Sequence, residues 1–310
     1  CGIMMSTTSP ELTTDGSFDK CWIKDTDTIR LIKAGSSGAR NAGMEPYCEV
    51  LASAVYEELC GGIHYKLDRH HGRVVSSCNL FTSEQYGYKP AALYGLVGKS
   101  LTDLMSEYAK VGSEDIFRAM ILADCVTVNS DRHFGNFGFL VDNDTFERVS
   151  INPVFDYNLA LFPYADWCEG FTDMDAWISK RGPAVGRNYY LNAKTVMSTE
   201  LRAKLINLKD LSLSVAPDDK FIKDRVEIVN SFKNTQIDRI LGNHKQFDFT
   251  SLDSERKEMR SFAELIGVTY EDLCRMIVGV MPTLLSSRYM TIEDAARSYW
   301  EKYKELNNIE

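Results

Sequence analysis

The sequence predicts an α+β protein of two lobes: a small β-rich lobe over residues 1–98 and a larger, mainly helical lobe over 99–310. Three observations carry this. Short β-prone runs punctuated by turn residues, with one amphipathic helix among them, fill the first part of the chain. From Leu101 onward apolar residues recur mainly with a helical period. Where the helical pattern first breaks, the run Asn129-Ser-Asp131-Arg-His133-Phe-Gly-Asn136 is followed by a hairpin pattern that leads to Val154-Phe-Asp156.

The first ten residues are small and polar and read as frayed. A loop from Thr13 to Lys20 leads into a strand at Cys21-Trp-Ile23, and Ile29-Arg-Leu-Ile32 makes a second strand running into Lys33. Gly35 to Gly38 break it. Between Glu45 and Leu59, apolar Tyr47, Val50, Leu51, Ala54, Val55 and Leu59 form one helical stripe, which Gly61-Gly62 ends. Strands are expected around Ile63–Leu67 and Val74–Phe81, with a connecting hinge from Asn79 to Glu84. Glu114–Val128 reads as a strong helix that delivers the chain to Asp131. Phe137–Val141 and Phe146–Ile151 flank the turn cluster Asp142–Thr145, which predicts a β-hairpin. Phe134, Phe137, Phe139, Phe146 and Phe155 are expected to form core beneath the Asp131 loop. Further helices are expected near 193–208, 217–241, 254–265, 270–285 and 291–306, the last opened by a capping box at Thr291-Ile-Glu-Asp294.

Composition narrows the function classes. The 310 residues are 44% hydrophobic and 25% charged, ordinary values for a globular enzyme with a sizeable core. A net charge of −9 argues against a nonspecific nucleic-acid binder, whose affinity rests on Lys and Arg neutralising phosphates. No apolar run approaches the roughly 20 residues of a membrane-spanning helix. The eight cysteines form no C-x-x-C pair and no zinc or disulfide framework, so reduced thiols and a cytoplasmic location are expected. His70-His71 reads as surface.

The chemistry concentrates on three oxygen-bearing side chains. Asp131 and Asn136 lie five residues apart, which fits one tight loop, and Asp156 follows 20 residues later, room for a hairpin that brings it back beside Asn136. Phosphoryl transfer needs this set: a carboxylate that orients an attacking hydroxyl (Asp131) and two oxygen ligands that hold Mg²⁺ against nucleotide phosphates (Asn136 and Asp156). His133 is expected to brace the loop, and Arg132 to sit on the surface or contact substrate or a phosphorylated residue. Lys33, at a strand end, fits a phosphate-contacting lysine, with Glu49 on the following helix as its ion-pair partner. Lys33 and Asp156 are expected to face one another across a cleft. At the hinge, Asn79, Leu80 and Phe81 are the candidates for contact with adenine.

The DRHFGN run, the hairpin and the NPVFDYN segment resemble the catalytic and metal loops of HipA-like serine/threonine kinases, distant relatives of eukaryotic protein kinases that include bacterial toxins. The resemblance covers residues 13–156 and implies a protein-kinase-like fold, ATP and Mg²⁺ as cofactors, and a protein substrate bearing Ser or Thr. It also implies a phosphate loop in which a glycine is followed four residues later by lysine, a spacing met by Gly16 and Lys20, with Ser17 between them. Members of this family autophosphorylate a serine three residues before that glycine. Thr13 holds that position here, with Thr14 and Ser17 as neighbours. Long members carry an extra N-terminal segment and pair with a DNA-binding antitoxin. This chain begins only about a dozen residues before the loop, so it resembles a short form, or that segment is a separate polypeptide. Antitoxin pairing stays open.

Two alternatives stay open as well. Phosphoinositide kinases share the D-R-H-x-x-N loop, so a lipid or small-molecule hydroxyl is a second substrate class. The Asn152-Pro-x-x-Asp156 lead-in, and Tyr157 and Asn158 where lipid kinases usually carry Phe-Gly, favour the HipA-like side. A pseudokinase acting as an interaction module is the third reading. Against it, Lys33, Asp131, Asn136 and Asp156 are all present.

Overall fold

A four-stranded antiparallel sheet with the order β1-β2-β4-β3 opens the fold of this computed structural model. Its strands are β1 (Lys20–Lys24), β2 (Ile29–Ala34), β3 (Lys66–His70) and β4 (Arg73–Asn79). The structure describes residues 19–24, 26, 28–37, 42–164, 178, 181–216, 223–242, 259–279, 296, 300–307 and 309. They fall into two compact units, 1–241 and 242–310. The boundary expected near residue 98 lies inside the first unit, and the second starts within the stretch read as one helical lobe.

Helix α1 (Glu45–Cys60) sits between β2 and β3 in the chain and packs on β2, β3 and β4. Pro46 opens it, where a missing N–H removes nothing, and Gly61 closes it at φ 64°, its N–H bonded to the Glu57 carbonyl at 3.0 Å. The sheet departs from expectation at its margins. The Ile63 N–H is bonded to the Val154 carbonyl at 2.8 Å, so residue 63 serves the Asp156 segment and β3 starts only at Lys66. β4 ends at Asn79, ahead of Leu80 and Phe81.

A second antiparallel sheet, ordered β5-β6-β7, joins β5 (Tyr86–Pro90) to the hairpin strands β6 (Gly138–Asp142) and β7 (Arg148–Ile151). The hairpin was expected; β5 was not, because Gly87 and the terminal Pro90 weaken its strand pattern. Phe146 is not core. It stands at the hairpin turn with φ 61° and is 74% exposed. Phe137 and Phe139 are buried as expected, and Tyr108 stacks on both Phe117 and Phe139 at 4.7 Å between centroids.

Helix α3 (Glu114–Thr127) is the pillar of the larger lobe, packing against α1, α2 (Leu101–Ala109), α4 (Tyr189–Val196) and α6 (Lys223–Leu241). The expected 193–208 helix is two, α4 and α5 (Thr199–Asn207). Ser198 separates them by capping α5, its Oγ accepting the Leu201 N–H at 3.2 Å. In the second unit, helical residues from Met259, α7 (Tyr270–Gly279) and α8 (Trp300–Asn307) share a small core that includes Leu273, Ile277 and Trp300. The Thr291 capping box lies outside the described residues. Among the described residues no helix is long and apolar enough to cross a membrane. Cys21, Cys48, Cys60, Cys78, Cys125 and Cys274 are free thiols.

The sheet that carries the Asp131 loop depends on Gly138. A Cβ there would lie 2.1 Å from the Lys89 carbonyl oxygen and 2.7 Å from the Pro90 Cα, both backbone atoms that have no rotamer to yield. Gly138→Ala is expected to lower stability by about 3 kcal/mol, the upper part of the usual single-substitution range. A urea unfolding midpoint within error of wild type would contradict that close contact.

Candidate active site

Register places the first basic groups. Lys20 lies directly opposite Lys33 in the β1–β2 pair, and Ser76 lies opposite Lys33 in the β2–β4 pair. Directly paired residues project to one face of a sheet, so Lys20, Lys33 and Ser76 share a face. On it, Lys33 is only 5% exposed, and its Nζ donates to Glu49 Oε1 and to Asp156 Oδ1, both at 2.6 Å. The expected cleft between Lys33 and Asp156 is closed by this direct contact.

Glu49 comes from the fully buried side of α1 and has further donors. Its Oε2 accepts from Ser76 Oγ, and its Oε1 also accepts the Tyr157 N–H at 3.3 Å. The Tyr65 hydroxyl accepts the Asp156 N–H at 3.3 Å, and the Tyr65 ring faces the Lys33 ammonium at 5.5 Å. Asp156 itself has φ 62°, a left-handed conformation that aspartate tolerates better than most residues.

One cation thus serves two carboxylates. Burial opposes the Lys33 charge, but Asp156 and Glu49 outweigh it and hold the ammonium above the ordinary lysine value. Burial also opposes ionisation of Asp156. Lys33, then Arg132 and Lys20, overcome that and keep its carboxyl below the ordinary aspartate value. Burial pushes Glu49 up, Lys33 pulls it back, and Asp156 adds to the rise.

The Asp131 loop begins where α3 ends, at Val128 with φ 51°. The Asn129 side chain then fixes the turn: its Nδ2 donates to the Tyr56 hydroxyl at 3.1 Å and to Asp124 Oδ1 at 3.2 Å, and its Oδ1 accepts the Asp131 N–H at 3.0 Å. The Asp131 carbonyl accepts the His133 N–H at 2.8 Å and Asn136 Nδ2 at 2.9 Å. With its amide nitrogen held this way, Asn136 has its Oδ1 left to act as an oxygen ligand. His133 makes a bond within the loop. Its Nδ1 accepts the Gly135 N–H at 3.0 Å, which assigns the ring proton to Nε2 in the neutral form.

Arg132 overturns its expected surface position. It is 1% exposed, and its Nε lies 3.2 and 3.3 Å from the two oxygens of Asp124, so it is withdrawn from substrate and from any docking phosphate. Asp124, Asn129, Tyr56 and Tyr65 were not anticipated as site residues. One signal was available: Asp124 is the only charged residue in the run Ala119–Val126, and an acid inside an apolar stripe is buried only when paired.

At the hinge, the Leu80 N–H is already bonded to the Ile29 carbonyl at 2.8 Å, and Asn79 is exposed. Phe81 packs on Tyr88 and Phe155, with centroids 5.9 and 5.4 Å away. Thr13, Thr14, Gly16 and Ser17 lie outside the described residues. Of the phosphate-loop candidates only Lys20 is described.

No family model matches this chain, and no curated protein matches it. Among solved structures, a Helicobacter pylori proinflammatory kinase, CtkA, superposes with a TM-score of 0.51 at 18% identity, covering 72% of this chain and 90% of that one. Shewanella oneidensis HipA, solved with HipB and operator DNA, gives a TM-score of 0.42 at 13% identity over 78% of this chain and 68% of its own. The first likeness is one of fold. The chain has a kinase-like α+β fold, a small antiparallel-sheet lobe joined to a helical lobe, as the catalytic-loop and metal-loop segments led us to expect.

The charge distribution makes a testable demand. Burial and then the Asp156 charge raise Asp131 above the ordinary aspartate value, and His133, Arg132 and Lys33 only partly offset this. An acid with a raised folded-state pKa holds more protons folded than unfolded, so its ionisation weakens the fold above that pKa and has no effect well below the unfolded value. Asp131→Asn is therefore expected to raise the Tm of the nucleotide-free protein at pH 7, with the gain disappearing as pH falls below about 4. A Tm unchanged at pH 7, or a gain independent of pH, would rule out this electrostatic cost.

Proposed function

We propose that this chain is an ATP- and Mg²⁺-dependent protein serine/threonine kinase of the HipA-like type. The observation that carries the reading is the Lys33 ammonium bonded at once to Glu49 and Asp156, beside a loop that presents Asp131 and Asn136. Protein kinases use a strand lysine paired with a helix glutamate, together with a metal-binding aspartate and a catalytic-loop asparagine. The donor chemistry fits. Asn136 and Asp156 offer hard oxygen ligands, one of them a carboxylate held ionised, and Mg²⁺ is commonly bound by one or two carboxylates with nucleotide phosphates completing its shell.

In this reading Lys33 and Lys20 hold phosphate oxygens from one face of the sheet, with Glu49 keeping Lys33 aimed. Asn136 and Asp156 would hold the metal. When bound, Mg²⁺-ATP would supply the transferable phosphoryl group, with ADP as the leaving group, and the positive charge that stabilises its transfer. Asp131 would accept a hydrogen bond from the attacking hydroxyl and take its proton as that oxygen displaces the ADP oxygen from phosphorus. The acceptor is a Ser or Thr side chain on a protein, the chain's own Thr13, Thr14 and Ser17 included. Asn79, Leu80 and Phe81 remain the proposed adenine contacts, with the Leu80 carbonyl in place of its occupied N–H. The lobes divide near residue 98. A cytoplasmic setting, where the free thiols among the described residues stay reduced, and an antitoxin-like partner or separately encoded N-terminal segment belong to the same proposal.

Purified protein with γ-labelled ATP, offered itself, a protein extract and phosphoinositides, tests this directly. Self-labelling or labelling of extract is expected; transfer to phosphoinositide alone would replace the protein-kinase reading with the lipid one. Mg²⁺-ATP should raise the Tm of wild type by mass action, and Asp156→Asn should diminish the shift. Asp131→Asn should still bind Mg²⁺-ATP while transfer falls by roughly 10²-fold or more, with phosphate on Thr13, Thr14 or Ser17 lost from the mass spectrum. Equal turnover in Asp131→Asn and wild type would remove Asp131 from the mechanism.

A further inference from the structure

Arg132 is a buried guanidinium whose bonds converge on the two segments proposed to hold metal. Its Nη1 donates to the Asn136 carbonyl at 2.9 Å and to the Phe155 carbonyl at 2.6 Å, the peptide that immediately precedes Asp156. One nitrogen therefore joins the backbone of one metal ligand to the peptide of the other. The remaining faces of the group are fixed as well. Asp124 on α3 holds Nε, and the Tyr56 and Tyr157 rings, themselves stacked at 4.0 Å, lie 5.5 and 5.9 Å from the guanidinium carbon. Nη2 is buried with no hydrogen-bond partner among the described residues, so the bonds of the group are those of Nη1 and Nε.

Only arginine meets this demand. Its planar fork bonds a carboxylate with one edge and two carbonyls with another, whereas a lysine ammonium is a point charge that cannot span all three. A ligand pair must be set closely, since roughly 1 Å of misplacement costs on the order of 10²-fold in rate.

We infer that Arg132 is a positioning residue that sets the separation of Asn136 and Asp156, and with it the Mg²⁺ requirement of the site. This rests on the kinase reading for the identity of the metal, while the joining of the two loops stands on geometry alone. It also assigns Arg132 a role opposite to that of an arginine that docks a phosphorylated segment to order an activation loop. Phosphate has no access to it.

Two variants test the inference. Arg132→Lys keeps the charge and loses the fork. The double variant Arg132→Met with Asp124→Leu removes both charges at similar volume, an exchange that buried ion pairs often tolerate without loss of stability. Two quantities are read: hydrogen exchange at the Asn136 and Asp156 amides in nucleotide-free protein, and the Mg²⁺ concentration at the midpoint of the ATP-dependent Tm shift. Both variants are expected to exchange at least tenfold faster at these amides and to need at least tenfold more Mg²⁺. Leu205→Ala, which lowers stability from a buried position on α5, should leave the Mg²⁺ midpoint in place. A folded variant with wild-type exchange and wild-type midpoint overturns the inference, as does a Leu205→Ala midpoint shifted equally. If wild type shows no Mg²⁺-ATP shift, the kinase reading fails and takes the metal role with it; the exchange result then decides whether Arg132 joins the loops.

Discussion

The Lys33 ammonium, held between Glu49 and Asp156, is the interaction on which the rest of the site depends. It links three elements far apart in sequence: the second strand, the first helix and the segment after the hairpin. An ion taken this far from water is tolerated only when its partners are close and their other lone pairs are occupied. Both conditions hold. Ser76 and the Tyr157 N–H bond Glu49, and the Tyr65 hydroxyl fixes the Asp156 backbone. Deleting one partner of such a group typically costs about 3–5 kcal/mol, because the remaining charge is left buried and unpaired. The same grouping gathers two carboxyl groups around one ammonium, and the charge of Asp156 also reaches Asp131.

A second buried pair, Asp124 with Arg132, does for the loops what Lys33 does for the lobes. Asp124 projects from α3, a helix buried on almost every face and packed against four others, so its position is set by the core. Tyr56 on α1 bonds the same carboxylate, which ties the helix that carries Glu49 to the helix that ends at the Asp131 loop. Side-chain order in the site is therefore inherited from helix packing. The left-handed residues Val128, Asp156, Leu161 and Phe162 cluster along this path. Such conformations persist in non-glycine residues only where surrounding bonds over-determine them. Here the Leu161 N–H is bonded to the Thr127 carbonyl at 2.8 Å, and Phe162 is packed on Phe232 and bonded through its carbonyl to Arg225.

How much of this was legible in the sequence follows from how each feature is encoded. The first helix, the α3 helix and the β6–β7 hairpin announce themselves by periodicity and turn residues, and their limits agree with expectation to within one or two residues. The Lys33–Glu49 pair was readable because a strand lysine and a helix glutamate recur at fixed places in a known chemistry, whereas the direct Lys33–Asp156 contact was not, a cleft being expected between them. β5 was not readable, since its pairing is supplied by β6 some fifty residues later and its own residues include glycine and proline. Arg132 was misplaced for a related reason. A loop arginine is exposed by default, and only the partner on α3 reverses that default. Phe146 fails the opposite way: an apolar residue at a hairpin turn lies beyond the reach of the core.

The two aspartates of the site differ in environment in a way that divides their roles. Burial opposes ionisation of Asp156, but an ammonium and two further cations nearby hold its carboxyl below the ordinary aspartate value, which suits the metal-ligand role proposed for it. Asp131 has no bonded cation among the described residues, and burial and then the negative charge of Asp156 raise its affinity for a proton. Pairs of carboxyl groups whose surroundings push their proton affinities apart mark a division between an electrostatic partner and a proton acceptor. The direction matters, because a raised Asp131 is a better base for a hydroxyl proton, and a cation bound at Asp156 would lower it again by shielding that neighbour. In the proposed mechanism, basicity at Asp131 would thus be coupled to metal occupancy at Asp156, because the Asp156 charge acts on Asp131. The backbone that sets their distance is held by the Asn129 side chain on one side and by Arg132 on the other.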